Sequence, residues 1–296
     1  ASLLFSSSGV GATPRAYWGA YSVSKYALEG LAKLLMEELE NASHIRVNIL
    51  NPGGTRTSMR ATAYPNEDPA TLKQAFNDID KVFYIPGNIE QREAHAEAVI
   101  DAAIESGTVK DFLFYSVLGA EYEAILFGRQ FRYGEKYLES THLNWTHLRT
   151  VFFQDNLYGW AEGIKQGALY LGTGEGKFAP LLVKDIGEIA ANILTSEGHA
   201  RKAYNITGPE LMSGADIAAT FSDITGKTVD HVSPDNETTL QSLLSTGWPE
   251  WQAHGLVELF NLFAANQAAM VSPDGETLLG RPLTRIKEFV TENKLA

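Results

Sequence analysis

The sequence predicts an α/β fold, a doubly wound parallel sheet with a smaller C-terminal α/β lobe. Three observations predict it. Short apolar runs alternate with helix-length amphipathic stretches over roughly the first half of the chain. The runs are apolar almost throughout, as strands covered on both faces are. Several end in Ser, Gly or Pro, at the carboxyl ends where open α/β sheets place their ligands. Strand-helix alternation of this kind gives a Rossmann-like architecture, because short right-handed crossovers make neighbouring strands parallel.

Taken in order, Ser2-Leu3-Leu4-Phe5-Ser6-Ser7 reads as a buried strand and Gly9 to Ala16 as a loop. Trp18 to Ala42 follows as a helix with a broad apolar face running from Ala20 to Leu35. Ile45 to Leu50 is a second strand that runs into Asn51-Pro52-Gly53-Gly54. Thr57 to Pro65 has no clear period and is either a substrate-covering loop or a plain connection. Pro69 to Phe76 reads as a short helix, and Asp80 to Ile85 as a strand ahead of Pro86-Gly87. Ile89 to Ser106 is a helix stopped by Gly107, and Asp111 to Val117 a buried strand containing Tyr115-Ser116. A helix over Glu123 to Ser140 and a strand over Trp145 to Arg149 complete the alternation. We place a first domain at residues 1–150 and a substrate-side lobe at 151–296. In that lobe Phe178 to Val183 and Ala203 to Thr207 read as strands, and Gly174-Glu175-Gly176 as a turn. Trp248 to Ala269 is a helix that either roofs a cleft or packs a core.

With 296 residues, 44% of them hydrophobic, the chain is long enough for a large core. A formal charge of −12 argues against a nucleic-acid partner, since binding to phosphates needs positive charge. The absence of cysteine excludes disulfides, thiolate metal sites and cysteine nucleophiles. No apolar run approaches the ~20 residues of a membrane span, and Ala1 to Phe5 lacks the basic flank of a signal peptide. The expectation is a cytoplasmic protein with no membrane partner. The seven histidines show no metal-ligand spacing, so no metal is expected.

The chemistry concentrates near the start. Tyr21 and Lys25 are four apart, so on a helix they leave the same face. A phenol has an unperturbed pKa of about 10, and a neighbouring ammonium lowers it by favouring the phenolate. The pair is thereby suited to general acid and base work. Ser8 places a hydroxyl just past a strand end. Gly9-Val10-Gly11 follows that strand and precedes a helix, the setting of a phosphate-binding turn, but the third glycine of the usual fingerprint is absent. The alternative is a tight strand-to-helix turn. Arg56 and Arg60 follow the second strand, where they either favour a 2′-phosphate or lie on the surface.

Through Ser8, Trp18-Gly19-Ala20-Tyr21, Lys25 and Asn51-Pro52-Gly53-Gly54-Thr55-Arg56-Thr57, residues 2 to about 72 resemble the second half of a bacterial short-chain dehydrogenase/reductase. The resemblance implies that Ser8 polarises a substrate carbonyl, Tyr21 donates the proton, and Lys25 lowers its pKa while holding the nicotinamide ribose. It also implies that Pro52, Gly53, Thr55 and Thr57 touch the carboxamide, and that the long helix dimerises, although its face would equally cover the sheet.

From about residue 68 the chain instead resembles an NmrA-like, atypical short-chain dehydrogenase. This rests on Leu72 to Phe76 with Asp80 to Phe83, Asn144-Trp-Thr-His-Leu-Arg149, Val183-Lys-Asp185-Ile-Gly187, Tyr204 to Glu210 and Gly280-Arg281-Pro282. Two related pieces thus look spliced near residues 67–73, and neither resemblance includes the usual first strand and Gly-rich turn. The region Gly128 to Phe131, where NmrA-like chains offer a polar residue and a lysine, carries no YxxxK pair.

The expected function is an NAD(P)-dependent oxidoreductase that moves hydride between nicotinamide and a carbonyl, alcohol or quinone. Its catalytic residues are Ser8, Tyr21 and Lys25, and its cofactor residues Gly9, Gly11, Lys25, Pro52, Gly53, Thr55, Thr57, Pro86 and Ser116. The substrate is a small molecule and the assembly a homodimer. A non-catalytic NAD(P)-binding sensor and a folded chimera without cofactor are the alternatives. Strand order stays open: if the first strand lies at the outside of the sheet Tyr21 is stranded, and if it lies inside, Ser8, Tyr21 and Ser116 share a cleft.

Overall fold

The computed structural model describes residues 2–6, 46–50 and 76–293. Its strands are β1 (Ser2–Ser6), β2 (Arg46–Leu50), β3 (Lys81–Tyr84), β4 (Asp111–Val117), β5 (Asn144–Thr150), β6 (Ala168–Tyr170), β7 (Lys177–Phe178), β8 (Lys202–Ile206), β9 (Met212–Ser213) and β10 (Asp230–Val232). Six of them form one sheet in the order β2-β1-β3-β4-β5-β8. β1 runs parallel to β2, from Ser2 opposite Arg46 to Ser6 opposite Leu50, and parallel to β3 with Phe5 opposite Phe83. β3 and β4 are parallel from Lys81 opposite Asp111 to Tyr84 opposite Phe114. The doubly wound sheet predicted from the sequence is therefore present, and β1 lies inside it.

That order decides where a ligand site lies. The chain leaves β1 for β2 on one side and then returns past β1 to β3 on the other. The direction of winding reverses between β1 and β3, and a crevice opens outside the carboxyl ends of strands at such a point.

Helices among the described residues are α1 (Arg92–Ser106), α2 (Leu126–Glu139), α3 (Ala161–Lys165), α4 (Val183–Thr195), α5 (Gly214–Thr225), α6 (Asn236–Ser245), α7 (Glu250–Ala264), α8 (Asp274–Leu279) and α9 (Ile286–Glu292). None is long and apolar enough to cross a membrane. α1 buries Ala96, Val99, Ile100 and Ala103, the spacing of one helix face, and stops at Gly107 with a left-handed φ of 70°. The chain divides into two units, the first of Ala1–Ser116, Gln130–Leu148 and Ala190–Tyr204, the second of Val117–Arg129, Arg149–Ile189 and Asn205–Ala296.

In the first unit, Phe112, Leu113 and Phe114 of β4 are buried one after another, so both faces of this strand are covered. In the second, Phe178 stacks on Phe263 at 4.6 Å with Phe152 edge-on to both. Two small sheets flank this core, β6 parallel to β10 and β7 antiparallel to β9. Buried Asp185 accepts from the Thr284 backbone at 2.7 Å and from Arg281 at 3.0 Å, pinning the stretch after Gly280.

Four predicted elements differ, the first being the helix predicted from Ile89, which starts at Arg92. Phe178 to Val183 is not one strand: β7 ends at Phe178, Leu181 makes an isolated bridge with Phe153, and Val183 begins α4. Pro180 has no N–H to give a ladder, and the Asp155 carboxylate accepts from the Val183 N–H at 2.9 Å, which satisfies a free donor at the start of α4. The helix predicted from Glu123 starts at Leu126, because Glu123 has φ of +52° after a short 3-10 turn, Ala120–Tyr122. The helix predicted over Trp248 to Ala269 is shorter, Glu250–Ala264, since Pro249 lies at its start and Asn266 has φ of +57°. The helices predicted at Trp18–Ala42 and Pro69–Phe76 lie outside the described residues, apart from Phe76 itself.

Candidate functional site

β1 ends at Ser6, just ahead of Ser8-Gly9, and β2 ends at Leu50, just ahead of Asn51-Pro52. Ser8, Gly9, Gly11, Tyr21, Lys25, Pro52, Gly53, Thr55 and Thr57 lie outside the described residues. Pro86 and Ser116 lie within them. Pro86 is buried in the stretch that follows β3, and Ser116 is fully buried near the carboxyl end of β4. β1 and β3 are parallel neighbours, so their carboxyl ends, at Ser6 and Tyr84, lie side by side at the point of reversal.

The loop from Ile85 to Gln91, joining β3 to α1, is held by a residue the sequence reading passed over. Arg92 is only 4% exposed although it is an arginine. Its Nε donates to the Gly87 carbonyl at 3.2 Å and its Nη2 to Asn88 Oδ1 at 3.2 Å. Its Nη1 donates to Gln130 Oε1 on α2, and Gln130 Nε2 donates back to the Glu90 carbonyl at 3.0 Å. The guanidinium also lies 4.5 Å from the centre of the Phe131 ring. Burial pulls this arginine down to about 10, with Tyr84, Tyr115 and Glu93 opposing the shift. A signal for it exists in the sequence. Position 92 falls on the same helix face as Ala96, Val99, Ile100 and Ala103, so an arginine stands where the period requires an apolar residue.

Beside it, Tyr84 ends β3 fully buried and shares a hydrogen bond of 3.0 Å with His95 Nδ1. Burial pushes this phenol well above its ordinary value, with Arg92 opposing, so it stays protonated. The tyrosines of α2 are also unsuited to proton transfer near neutrality. Tyr133 donates to Glu97 and Tyr137 to Asp101 at 2.6 Å, and these carboxylate bonds raise both phenols, Tyr137 to about 12. Neither has a lysine four positions on.

A second cluster joins α2 to β5. Arg132 donates to Glu135 at 2.8 Å and to Glu139 at 2.6 Å, and His147 Nε2 lies 3.1 Å from Glu139. Glu135, Glu139 and His147 could between them offer three metal-ligand atoms within 4.8 Å of one another. The guanidinium already supplies the positive charge these carboxylates need, so the cluster is an ion-pair network within the first unit.

Profiles of known families divide the chain as its motifs do. The NmrA-like family matches residues 61–289, and short chain dehydrogenase matches residues 1–68. An NAD(P)H azoreductase of Xenophilus azovorans is 31% identical over 249 residues, which cover 83% of this chain and 85% of that protein. The triphenylmethane reductase of Citrobacter sp., solved with NADP(H), has a TM-score of 0.76 at 23% identity. The NADPH-dependent quinone oxidoreductase of Escherichia coli, solved with NADPH, has a TM-score of 0.78 at 22% identity. Each of these two likenesses covers 99% of both chains and shows a shared fold. Both resemblances read from the sequence are thus borne out. Since the first profile spans most of the chain and the azoreductase aligns over most of both sequences, this protein belongs to the NmrA-like family, with an opening segment that matches short chain dehydrogenase.

Proposed function

We propose that the protein is an NAD(P)-dependent oxidoreductase that reduces a small carbonyl or quinone, with the dinucleotide seated at the carboxyl ends of β1 and β3. The observation that carries this reading is the winding reversal between those two strands, in a chain whose relative is an NAD(P)H azoreductase. The residues available there fit a dinucleotide. Ser8-Gly9-Val10-Gly11 follows β1, giving backbone N–H groups without bulky side chains, and Pro86-Gly87-Asn88 follows β3 in a loop fixed by Arg92.

In this reading Gly9 and Gly11 take the phosphates, and Pro86 and Ser116 border the seat. Pro52, Gly53, Thr55 and Thr57 extend it beyond β2. The nicotinamide supplies the hydride when bound. Lys25 lowers the Tyr21 pKa and holds the ribose, Tyr21 gives its proton to the substrate oxygen, and Ser8 orients that oxygen. The tyrosines at 84, 133 and 137 have pKa values raised by burial or by carboxylate bonds, which makes them poorer proton donors than a tyrosine beside a lysine. The same proposal has the protein acting as a cytoplasmic homodimer.

The test is steady-state reduction of quinones and azo dyes by NADPH and NADH. Tyr21→Phe should lower kcat by roughly 100-fold or more, the usual worth of a general acid, with cofactor affinity unchanged. Equal turnover by wild type and Tyr21→Phe would remove Tyr21 from the chemistry. A second reading, a dinucleotide sensor without turnover, is favoured by the engagement of both α2 tyrosines with carboxylates, and it predicts cofactor binding with no reduction of any acceptor.

A further inference from the structure

From the hydrogen bonds around the loop after β3, we infer that Arg92 and Gln130 are positioning residues for dinucleotide binding, because together they fix the backbone from Gly87 to Glu90 that borders the seat. This rests on the proposed function. Both side chains are 4% exposed, and both reach back to the same loop. Arg92 holds the Gly87 carbonyl and the Asn88 side chain, and Gln130 holds the Glu90 carbonyl. The bond between Arg92 and Gln130 closes the circuit, tying loop, α1 and α2 together within the first unit.

Burying a guanidinium is a costly way to tie down a connection. A loop that only had to join β3 to α1 would be held as well by an apolar side chain at position 92, in line with the rest of that helix face. What the planar fork adds is direction. It fixes two successive residues at once and, through Gln130, a third, while the Phe131 ring holds the fork flat. Gly87 lies at the carboxyl end of β3, on the β1 side of which the winding reverses. A loop fixed there before binding removes the ordering cost from the binding step. The positioning is therefore read in cofactor affinity rather than in the rate of hydride transfer.

The experiment compares NADPH affinity, acceptor KM, kcat at saturating NADPH and Tm in five proteins: wild type, Arg92→Lys, Gln130→Leu, Gln130→Glu and Gly134→Ala. Arg92→Lys keeps the charge and loses the fork. Gln130→Leu loses both of its bonds, whereas Gln130→Glu keeps an oxygen for Arg92 and loses the donor to Glu90. Gly134→Ala strains α2 against Phe114 and more mildly against Ala96 of α1, breaks none of the bonds to the loop, and serves as the control for plain destabilisation. The expected result is an NADPH Kd raised roughly tenfold in Arg92→Lys and Gln130→Leu and by less in Gln130→Glu, on the scale of ordering a few loop residues. Acceptor KM and saturated kcat should stay at wild-type values. Gly134→Ala should lower Tm and leave Kd alone. Unchanged Kd in Arg92→Lys and Gln130→Leu would overturn the inference, as would a Kd that follows Tm through all the variants, Gly134→Ala included. If Arg92→Lys does not fold, the two Gln130 variants decide. Failure of the wild type itself to bind NADPH would instead overturn the proposed function and this inference with it.

Discussion

Gly134 sets how near α2 can come to β4. A Cβ at this position would lie 2.7 Å from Phe114 Cζ and 3.3 Å from the Ala96 methyl. Gly→Ala in a helix ordinarily gains about 1 kcal/mol, but overpacking a filled core costs about 1–3 kcal/mol. Packing wins, and Gly134→Ala is expected to lower the urea midpoint. At the Arg132 network, Glu135 is fully buried and bonded to Arg132, so Arg132→Met removes a partner of a buried carboxylate and should lower the urea midpoint in the same unfolding assay. For Glu139, burial pushes the carboxyl up, but the bonds and charge of Arg132 and His147 outweigh it and leave the pKa below the ordinary value. A carboxyl depressed in the folded state stabilises above its unfolded pKa, and that contribution is lost as pH falls through the folded value. Tm should therefore fall more steeply on acidification in the wild type than in Glu139→Gln, and parallel acid limbs would contradict this. Tyr21 and Lys25 announce themselves in the sequence by spacing. Arg92 is marked only by standing at an apolar position of its helix face, and what it holds there depends on Gln130, 38 positions away.

At the level of elements, α5 shows how local sequence sets a boundary. Ser213 accepts from the Asp216 N–H at 3.1 Å, and Asp216 accepts from the Ser213 N–H at 2.9 Å, a reciprocal cap readable as Ser-x-x-Asp. Ser213→Ala should cost about 1 kcal/mol and lower Tm by a few degrees, and an unchanged Tm would show the cap to be idle. The strands β3 and β4 were legible because each is a short, largely apolar run with turn residues at its ends, and β5, with only Trp145 and Leu148 apolar, from its place in the alternation. The start of α4 was less so. Val183 begins that helix because Asp155, 28 positions earlier, accepts from its N–H, and no window around Val183 contains that carboxylate. β6 and β10 are three residues each, too short for a period, and they exist because they pair with each other.

For the whole molecule, the alternation of strand and helix was visible in the sequence, but the order of strands was not. An inner and an outer place for β1 fit the same pattern, and pairing of Phe5 with Phe83 decides for the inner one. The family profiles divide near residues 61–68, between β2 and β3, so the strands on the two sides of the reversal come from segments with different resemblances. We propose that the dinucleotide lies where those segments meet. The direct measurement is a titration of the purified protein with NADPH and NADH, followed by nicotinamide fluorescence and repeated on Tyr21→Phe and Lys25→Ala. Saturable binding that Lys25→Ala weakens and Tyr21→Phe hardly changes is the expected result, and no saturation up to millimolar cofactor would overturn this placement of the dinucleotide.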